Sequence, residues 1–212
     1  EKCLPSANRI RIMFGGVKNV YESTRGNFAE QSGKEAIALG MVPKGGLFVP
    51  KEYPTLKWNE VKGLTYSELA SRIFQMYLPD FEEDVLREAA RVYNNQVFDG
   101  DNPAPLKQVG NMGILELWHG PTSAFKDMAL QVLPYLLKES MKVLSQTEKV
   151  LILVATSGDT GKAALEGFKN VSGTEIMVFY PENGVSVVQE RQMTTTDGKN
   201  TRVVPVKGNF DN

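Results

Sequence analysis

Cysteine and histidine are almost absent from the sequence: among 212 residues there is one of each, Cys3 and His119. A single cysteine cannot form a disulfide within the chain, and one histidine with one cysteine cannot complete a Cys/His zinc site. Any metal site would have to be made of carboxylates. The sequence offers no convincing carboxylate pair, so we predict no metal centre.

Neither sign of charge is in excess, since 24 lysines and arginines are set against 25 aspartates and glutamates. This balance removes the usual electrostatic case for a nucleic acid or an anionic membrane surface as partner. No apolar run approaches the roughly 20 residues that span a bilayer, and residues 1–11 lack the apolar core of a secretory signal. We therefore expect a cytoplasmic, enzyme-like protein without a membrane or nucleic-acid partner.

The pattern of the chain changes near residue 100, where the segment DGDNPAP at 99–105 is the clearest linker. Before it, apolar residues recur every three or four positions, which predicts amphipathic helices. These predicted helices cover residues 28–39, 65–77 and 81–95. The predicted organisation is a mostly helical region at 1–98, the linker at 99–105, and the first part of an α/β domain at 106–212.

Beyond the linker, the pattern predicts a short strand at 114–118 and a long helix at 123–144 that Pro134 should kink. Three apolar runs with helical patterns between them follow, at 149–156, 175–180 and 201–206. This βαβαβ spacing, with strands apolar on both faces, is typical of an open parallel sheet. The predicted fold class is α/β: a three-layer, mainly parallel open sheet with helices on both faces, preceded by the helical region.

The turn after the first of these runs is a candidate ligand site. Its sequence is TSGDTG at 156–161, and it lies where a parallel strand ends and a helix begins. This corner favours carboxylates and phosphates. The alternative is that Ser157 or Asp159 only caps the helix. The glycine spacing fits neither a Walker phosphate loop nor a dinucleotide fingerprint, so the pattern does not support nucleotide binding.

A second candidate site is the segment HGPTSAFKD at 119–127, between a strand and the first turn of the long helix. Lys126 is oddly placed there, because the positive end of the helix dipole disfavours an ammonium group. A lysine kept partly neutral is a nucleophile toward aldehydes, as a Schiff base with pyridoxal phosphate requires. The alternatives are a solvated surface lysine, a His119 that orders the turn rather than acting as a base, and an Asp127 that caps the helix.

Together, the two segments closely resemble the threonine synthase family. Three further stretches are similar to segments of that family: YESTRGN at 21–27, GGLFVP at 45–50 and QERQMTT at 189–195. The resemblance runs from about residue 20 to the last residue, whereas residues 1 to about 16 resemble no segment of that family. The family belongs to the fold type II, tryptophan synthase β-like group of pyridoxal-phosphate enzymes. Its members convert O-phospho-L-homoserine and water to L-threonine and phosphate.

The resemblance implies roles for individual residues. Lys126 would carry pyridoxal phosphate as a Schiff base and serve as the proton shuttle, with Phe125 and Asp159 beside the cofactor. The 156–160 loop would bind the substrate carboxylate. The loop residues are Thr156, Ser157, Gly158, Asp159 and Thr160. Candidates for contact with the substrate phosphate are Arg25, Lys162 and Arg191.

Members of the family are substantially longer than this chain. In fold type II enzymes the loop for the cofactor phosphate and the partner of the pyridine nitrogen lie downstream of the segment present here, so we expect both beyond residue 212. We therefore predict the N-terminal part of a threonine synthase, inactive alone, whose partner is the remaining C-terminal half of the same polypeptide. Two alternatives stay open: another fold type II lyase such as a serine or threonine dehydratase, and a noncatalytic truncated synthase that acts as a binding protein.

Overall fold

The computed structural model describes residues 20–143 and 149–208. Cys3 and residues 1–16, which entered the sequence predictions, lie outside these ranges. The helices are α1 (Gly33–Leu39), α2 (Trp58–Val61), α3 (Tyr66–Tyr77), α4 (Glu83–Ala90), α5 (Asp127–Leu130), α6 (Leu133–Val143), α7 (Asp159–Phe168) and α8 (Val187–Thr194). The strands are β1 (Tyr21–Ser23), β2 (Phe48–Pro50), β3 (Leu106–Val109), β4 (Met112–Leu115), β5 (Val150–Ala155), β6 (Thr174–Pro181) and β7 (Thr201–Val206). None of the described helices is both long enough and apolar enough to cross a membrane.

Capping residues fix where helices α1 and α3 begin. The Ser32 hydroxyl accepts the backbone N–H of Glu35 at 3.3 Å, while the Glu35 carboxylate accepts the backbone N–H of Ser32 at 2.8 Å. Thr65 and Glu68 form the same reciprocal pair before α3. The helix predicted at 28–39 therefore begins only at residue 33, because the capping box sets its first turn.

Strands β1 and β2 pair with each other in an antiparallel sense, and the turn after β1 is bound to the glycine pair before β2. The Asn27 side chain donates to the carbonyl of Gly45 at 3.0 Å, and the backbone N–H of Leu47 donates to the Thr24 hydroxyl at 3.0 Å. The segments 21–27 and 45–50, which carry part of the family resemblance, thus form one local unit.

The helical region shares its core with the segment that contains α6. The buried residues of this core are Leu78, Phe81, Leu86, Ala89, Val92, Val132 and Leu136. Because Val132 and Leu136 follow the predicted linker, elements from before and after it pack into one cluster. Pro103, within that linker, is fully buried. The boundary at 99–105 stays a prediction.

Strands β5, β6 and β7 form a parallel sheet in that order. Each crossover contains one helix, first α7 and then α8. Two right-handed crossovers that advance in the same direction place both helices on one face of the sheet. The buried residues between this face and its helices include Leu165, Phe168, Ile176, Val178 and Met193. The predicted α/β class, with a parallel sheet after a helical region, is confirmed, whereas the predicted helical layer on the second face is not formed by the described residues.

The other face of β5 is open within the described residues. Leu151 and Leu153 point away from α7 and are 57% and 61% exposed. Apolar side chains are also exposed on the antiparallel β3–β4 hairpin, which lies outside the parallel sheet. They belong to Leu106, Val109, Met112, Ile114 and Leu115. The strand predicted at 114–118 is thus the second strand of a hairpin and starts earlier, at residue 112.

The prediction of one continuous helix at 123–144 is wrong, because the chain forms two helices there, α5 and α6, with a break at residues 131–132. Pro134 has no amide hydrogen to donate to the Leu130 carbonyl, and its ring would collide with that carbonyl in a continuous helix. The freed Leu130 carbonyl lies against Gly167 of α7, where a Cβ would overlap it. Residue 144, the end of the predicted helix, lies outside the described residues.

Replacing Gly167 with alanine should destabilise the protein, although alanine is the better helix former by about 1 kcal/mol. The added Cβ would overlap a backbone carbonyl, which cannot move aside unless α5 shifts. We expect a net loss of about 1 to 3 kcal/mol in the free energy of unfolding, measured by urea denaturation.

Gly113→Ala is the matched control, because a Cβ at that position would meet only the flexible side chain of Leu106. If Gly167→Ala unfolds at the same urea concentration as the unchanged protein, or at a higher one, the contact does not fix α5 against α7.

Candidate active site around Lys126

Lys126 occupies the N-cap position of the four-residue helix α5 and is half-buried. Its amine lies 4.5 Å from the centre of the Phe125 ring. It has no hydrogen bond or ion pair with the described residues. The side chain lines a cleft of about 420 Å³ with Tyr66, Leu117 and Met128 among its walls. Apart from the Tyr66 phenol these walls are apolar, so the structure presents an unpaired amine in an apolar cleft.

The buried carboxylate of Asp127 anchors the loop that precedes α5. Its Oδ2 accepts the backbone N–H of Thr122 at 2.8 Å, and its Oδ1 accepts the Thr122 hydroxyl at 2.7 Å. Gly120 packs so closely that a Cβ there would lie 2.5 Å from the Asp127 Cβ. We call Gly120, Thr122 and Asp127 the Asp127 clasp. Burial raises the pKa of Asp127, and the hydrogen bonds from Thr122 act in the opposite direction.

The clasp changes the interpretation of Asp127. The proposed helix-capping role is wrong, because the carboxylate binds Thr122 upstream of the helix and makes no capping bond within α5. The loop that it closes includes Ser123 at φ +58°, a left-handed conformation that is costly for a residue other than glycine. Lys126 is therefore the direct neighbour of a residue fixed in the interior.

His119 contacts the segment before the loop. Its Nε2 lies 2.8 Å from Oε2 of Glu116, and its carbonyl accepts the backbone N–H of Asp99 at 2.8 Å. Its ring stacks on Trp118 with centroids 5.8 Å apart. These contacts agree with the turn-ordering alternative for His119.

The hydroxyl of Thr156 organises the turn between β5 and α7. It accepts the backbone N–H of Gly158 at 3.0 Å and that of Gly161 at 2.9 Å, and Thr156 is only 3% exposed. Gly158 occupies the N-cap of α7 without a side-chain bond. The alternative in which Ser157 or Asp159 caps the helix is therefore wrong.

The same turn leaves backbone donors unpaired at the start of α7. The amides of Ser157, Asp159 and Thr160 have no acceptor among the described residues. They lie at the N-terminus of a ten-residue helix, where the helix dipole favours a negative charge. The loop can therefore bind an anion through its main chain.

Gln189 connects helix α8 to this loop, and sequence reasoning missed it as a site residue. Its Oε1 accepts the backbone N–H of Ser186 at 3.2 Å in the capping box of α8, and its Nε2 donates to Oδ1 of Asp159 at 2.8 Å. Gly158, at φ +143°, lies where a Cβ would clash with the Gln189 side chain. The Ser-x-x-Gln spacing is a sequence signal for the cap, but no signal predicts the contact with Asp159, 30 residues away.

The two candidate segments lie on neighbouring elements, since α5 packs against α7. No hydrogen bond or ion pair joins Lys126 or Phe125 to the 156–160 loop within the described ranges. No three histidine, aspartate or glutamate side chains in those ranges are arranged to hold a metal ion. The roles given to the individual site residues stay predictions.

The three candidates for the substrate phosphate differ in their surroundings. Lys162 binds Glu166 at 2.9 Å and the Thr196 hydroxyl at 3.2 Å, so its amine is engaged beside α7 rather than available at the loop. Arg25 lies over Gly45, where a Cβ would sit 2.9 Å from the guanidinium. Arg191 is exposed on α8.

The Lys126 cleft fits the aldehyde end of pyridoxal phosphate. A Schiff base needs an amine that is not committed to an ion pair, and the Lys126 amine meets this requirement. The flat ring of the cofactor suits a cleft with aromatic and aliphatic walls, such as those formed by Tyr66, Phe125 and Leu117.

Sequence comparison finds relatives over most of the chain. A family model described as the threonine synthase N terminus matches residues 20–92. The threonine synthase of Pseudomonas aeruginosa is 40% identical over 195 residues, which cover 90% of this chain and 41% of the relative. The threonine synthase of Saccharomyces cerevisiae is 37% identical, and the match covers 91% of this chain and 41% of the relative. Human threonine synthase-like 1 is 36% identical, covering 84% of this chain and 25% of the relative.

Structure comparison gives the same family. The crystal structure of a PLP-bound threonine synthase from Brucella melitensis has a TM-score of 0.83 and 34% identity, covering 91% of this chain and 42% of that one. The yeast threonine synthase structure has a TM-score of 0.82 and 32% identity, and the match covers 92% of this chain and 42% of that one. The chain thus spans about two fifths of the length of the threonine synthases it matches.

Replacing Thr122 with valine should weaken the Asp127 clasp. Valine keeps the shape and the backbone N–H but removes the hydroxyl that donates to Oδ1 of the buried carboxylate. We expect the free energy of unfolding to fall by about 1 to 3 kcal/mol, because a buried acceptor loses its partner. Urea denaturation of the variant measures the loss.

Thr122→Ser is the matched control, since serine retains the hydroxyl and should recover most of the stability. Equal stability of the valine and serine variants would show that the hydroxyl does not secure Asp127.

Proposed function

We propose that this chain, whose sequence and fold identify it as the N-terminal part of a threonine synthase family member, supplies the lysine and the anion-binding loop of a pyridoxal-phosphate enzyme. The complete enzyme would convert O-phospho-L-homoserine and water to L-threonine and phosphate. The observation that carries the proposal is the unpaired amine of Lys126, placed beside the Asp127 clasp in an apolar cleft.

Lys126 has two tasks in the proposed reaction. Its amine would hold pyridoxal phosphate covalently through the aldehyde group of the cofactor, with loss of water. The same amine would also move protons to and from the substrate carbons. The Phe125 ring, which already contacts the amine, would flank the cofactor. When bound, pyridoxal phosphate supplies an electron sink for the pair released at the substrate carbon.

The 156–160 loop is the proposed site of the substrate carboxylate. Thr156 uses its hydroxyl to fix the turn, and this leaves the amides of Ser157, Asp159 and Thr160 for a ligand. Backbone donors at a helix N-terminus stabilise an anion without requiring a side-chain charge. Gln189 holds the Asp159 carboxylate at the edge of the loop, where it would border the cofactor ring.

The remaining C-terminal part of the polypeptide is the proposed partner of this chain, and it would supply the site for the cofactor phosphate. Two open apolar surfaces support such a partner. One is the face of β5 with Leu151 and Leu153, and the other is the β3–β4 hairpin. Contiguous exposed apolar surface marks a place where another element packs.

Borohydride reduction tests the Lys126 assignment on the intact protein, by which we mean the full-length polypeptide that contains this sequence. Reduction should fix pyridoxal phosphate to Lys126, with the adduct located by peptide mass mapping, and Lys126→Ala should abolish it. Lys162→Ala is the control, because Lys162 is bound to Glu166 and should be dispensable for the linkage. An adduct on a different lysine would refute the assignment.

Product analysis distinguishes the proposed reaction from its alternatives. The intact protein should release phosphate from O-phospho-L-homoserine and form threonine in equal amount, whereas a dehydratase would produce a 2-oxo acid and ammonia from serine or threonine. The isolated 212-residue chain should show no phosphate release above the uncatalysed rate. Turnover by that chain would contradict the proposed need for the C-terminal part, and an inactive intact protein would favour the noncatalytic alternative.

A further inference from the structure

A tyrosine from the helical region contacts the helix that follows Lys126. The hydroxyl of Tyr93 donates to the backbone carbonyl of Met128 at 2.6 Å, across 35 residues of sequence. Met128 lies in α5, two positions after Lys126. The bond therefore joins the segment after α4 directly to the helix that begins at the proposed catalytic lysine.

The Met128 carbonyl is available because α5 ends early. In a continuous helix this carbonyl would accept the backbone N–H of Val132. Here that N–H donates to the carbonyl of Ala129 at 3.1 Å, at the break before Pro134. The Tyr93 hydroxyl thus occupies an acceptor that the interrupted helix leaves without its usual donor.

Aromatic contacts fix the orientation of Tyr93. Its ring packs edge-on against Tyr66, with centroids 5.0 Å apart, and in a tilted arrangement against Phe98, with centroids 5.7 Å apart. Burial, with the neighbouring Tyr66 in a smaller part, raises the pKa of the Tyr93 phenol and so further favours the protonated form, in which the hydroxyl is a donor. Tyr66 in turn lines the cleft around Lys126.

We propose that Tyr93 is a positioning residue for Lys126: its hydroxyl fixes the C-terminal end of α5, while the Asp127 clasp fixes the N-terminal end. The inference rests on the proposed function, since it assigns Tyr93 to the reaction of Lys126. Tyr93 acts through the backbone of α5, with no hydrogen bond or ion pair to Lys126 in the described residues.

The length of α5 is the reason why such support is needed. A helix of four residues is a single turn, and the ordering of a first turn is unfavourable by itself. Contacts from outside must therefore define its direction. Small displacements of a reacting group lower reactivity strongly, so the direction of α5 sets how well the Lys126 amine meets its target.

The test compares Tyr93→Phe with Tyr21→Phe in the intact protein. Both substitutions remove one tyrosine hydroxyl that donates to a backbone carbonyl, because Tyr21 donates to the carbonyl of Tyr77 at 2.9 Å. Both phenols are partly buried, and burial raises the pKa of Tyr21 to about 12. Tyr21 contacts neither α5 nor the lysine cleft among its described bonds, so it reports the general cost of losing such a bond.

Four quantities are measured for each variant. Titration with pyridoxal phosphate gives the dissociation constant from the absorbance of the Lys126 linkage, and the pH midpoint of that absorbance reports the surroundings of the amine. Hydrogen exchange in the cofactor-free protein reports the backbone amides of 126–132. Urea denaturation gives the loss in the free energy of unfolding for each variant.

Tyr93→Phe should bind the cofactor about tenfold more weakly, shift the pH midpoint of the absorbance, and speed exchange in 126–132. Tyr21→Phe should leave all three unchanged at a comparable loss of stability. The inference is overturned if Tyr93→Phe leaves exchange in 126–132 unchanged, or if both variants change affinity and pH midpoint in proportion to their loss of stability.

Comparing the linkage at Lys126 in the unchanged protein and in Tyr93→Phe separates this inference from the proposed function. If the unchanged protein forms no linkage at Lys126, the proposed function fails, and the assignment of Tyr93 to that reaction fails with it, whatever the exchange data show. If the linkage forms at Lys126 but is the same in Tyr93→Phe as in the unchanged protein, only the role of Tyr93 is refuted.

Discussion

The missing amide hydrogen of Pro134 is the constraint from which the arrangement of the lysine site follows. It interrupts one predicted helix, and two carbonyls of the four-residue α5, those of Met128 and Leu130, accept no backbone N–H from a later turn of the same helix. Tyr93 binds the carbonyl of Met128, and Gly167 permits that of Leu130 to approach α7. Three regions that are distant in sequence therefore meet at one short turn, and Lys126 begins it.

The two candidate loops share a physical device, in which one buried threonine hydroxyl closes the turn before a helix. Thr122 donates to the carboxylate of Asp127, and Thr156 accepts from the amides of Gly158 and Gly161. In each loop the internal bonds are satisfied by the threonine, so the neighbouring functional groups stay available. These are the amine of Lys126 in one loop and the unpaired amides at the start of α7 in the other. Each threonine thus orders its loop and at the same time leaves the neighbouring groups free to bind a ligand.

Local patterns in the sequence predicted much of the fold, and contacts across the sequence explain most of what was missed. The three strands of the parallel sheet follow from apolar runs at βαβ spacing, and the helix at 66–77 was predicted within one residue of its start. The late start of α1 had a local signal in Ser32 and Glu35, and the β3–β4 turn had one in Gly110 followed by an asparagine. No periodicity could reveal that Asp127 binds Thr122, or that Tyr93 reaches Met128, because these contacts depend on how the finished elements pack.

Among the described strands, β5 is open along one edge as well as on one face, and the open edge has a consequence for how the chain behaves among its own copies. Strand β5 pairs on one side with β6, and no described strand pairs with its other side. An edge with unpaired backbone groups and exposed leucines is a template for another strand, and natural proteins usually cover or charge such edges. In isolation, two copies would therefore tend to join edge to edge, and the population of pairs would grow with concentration. Covering this strand would keep the protein monomeric at that edge as well as complete its core.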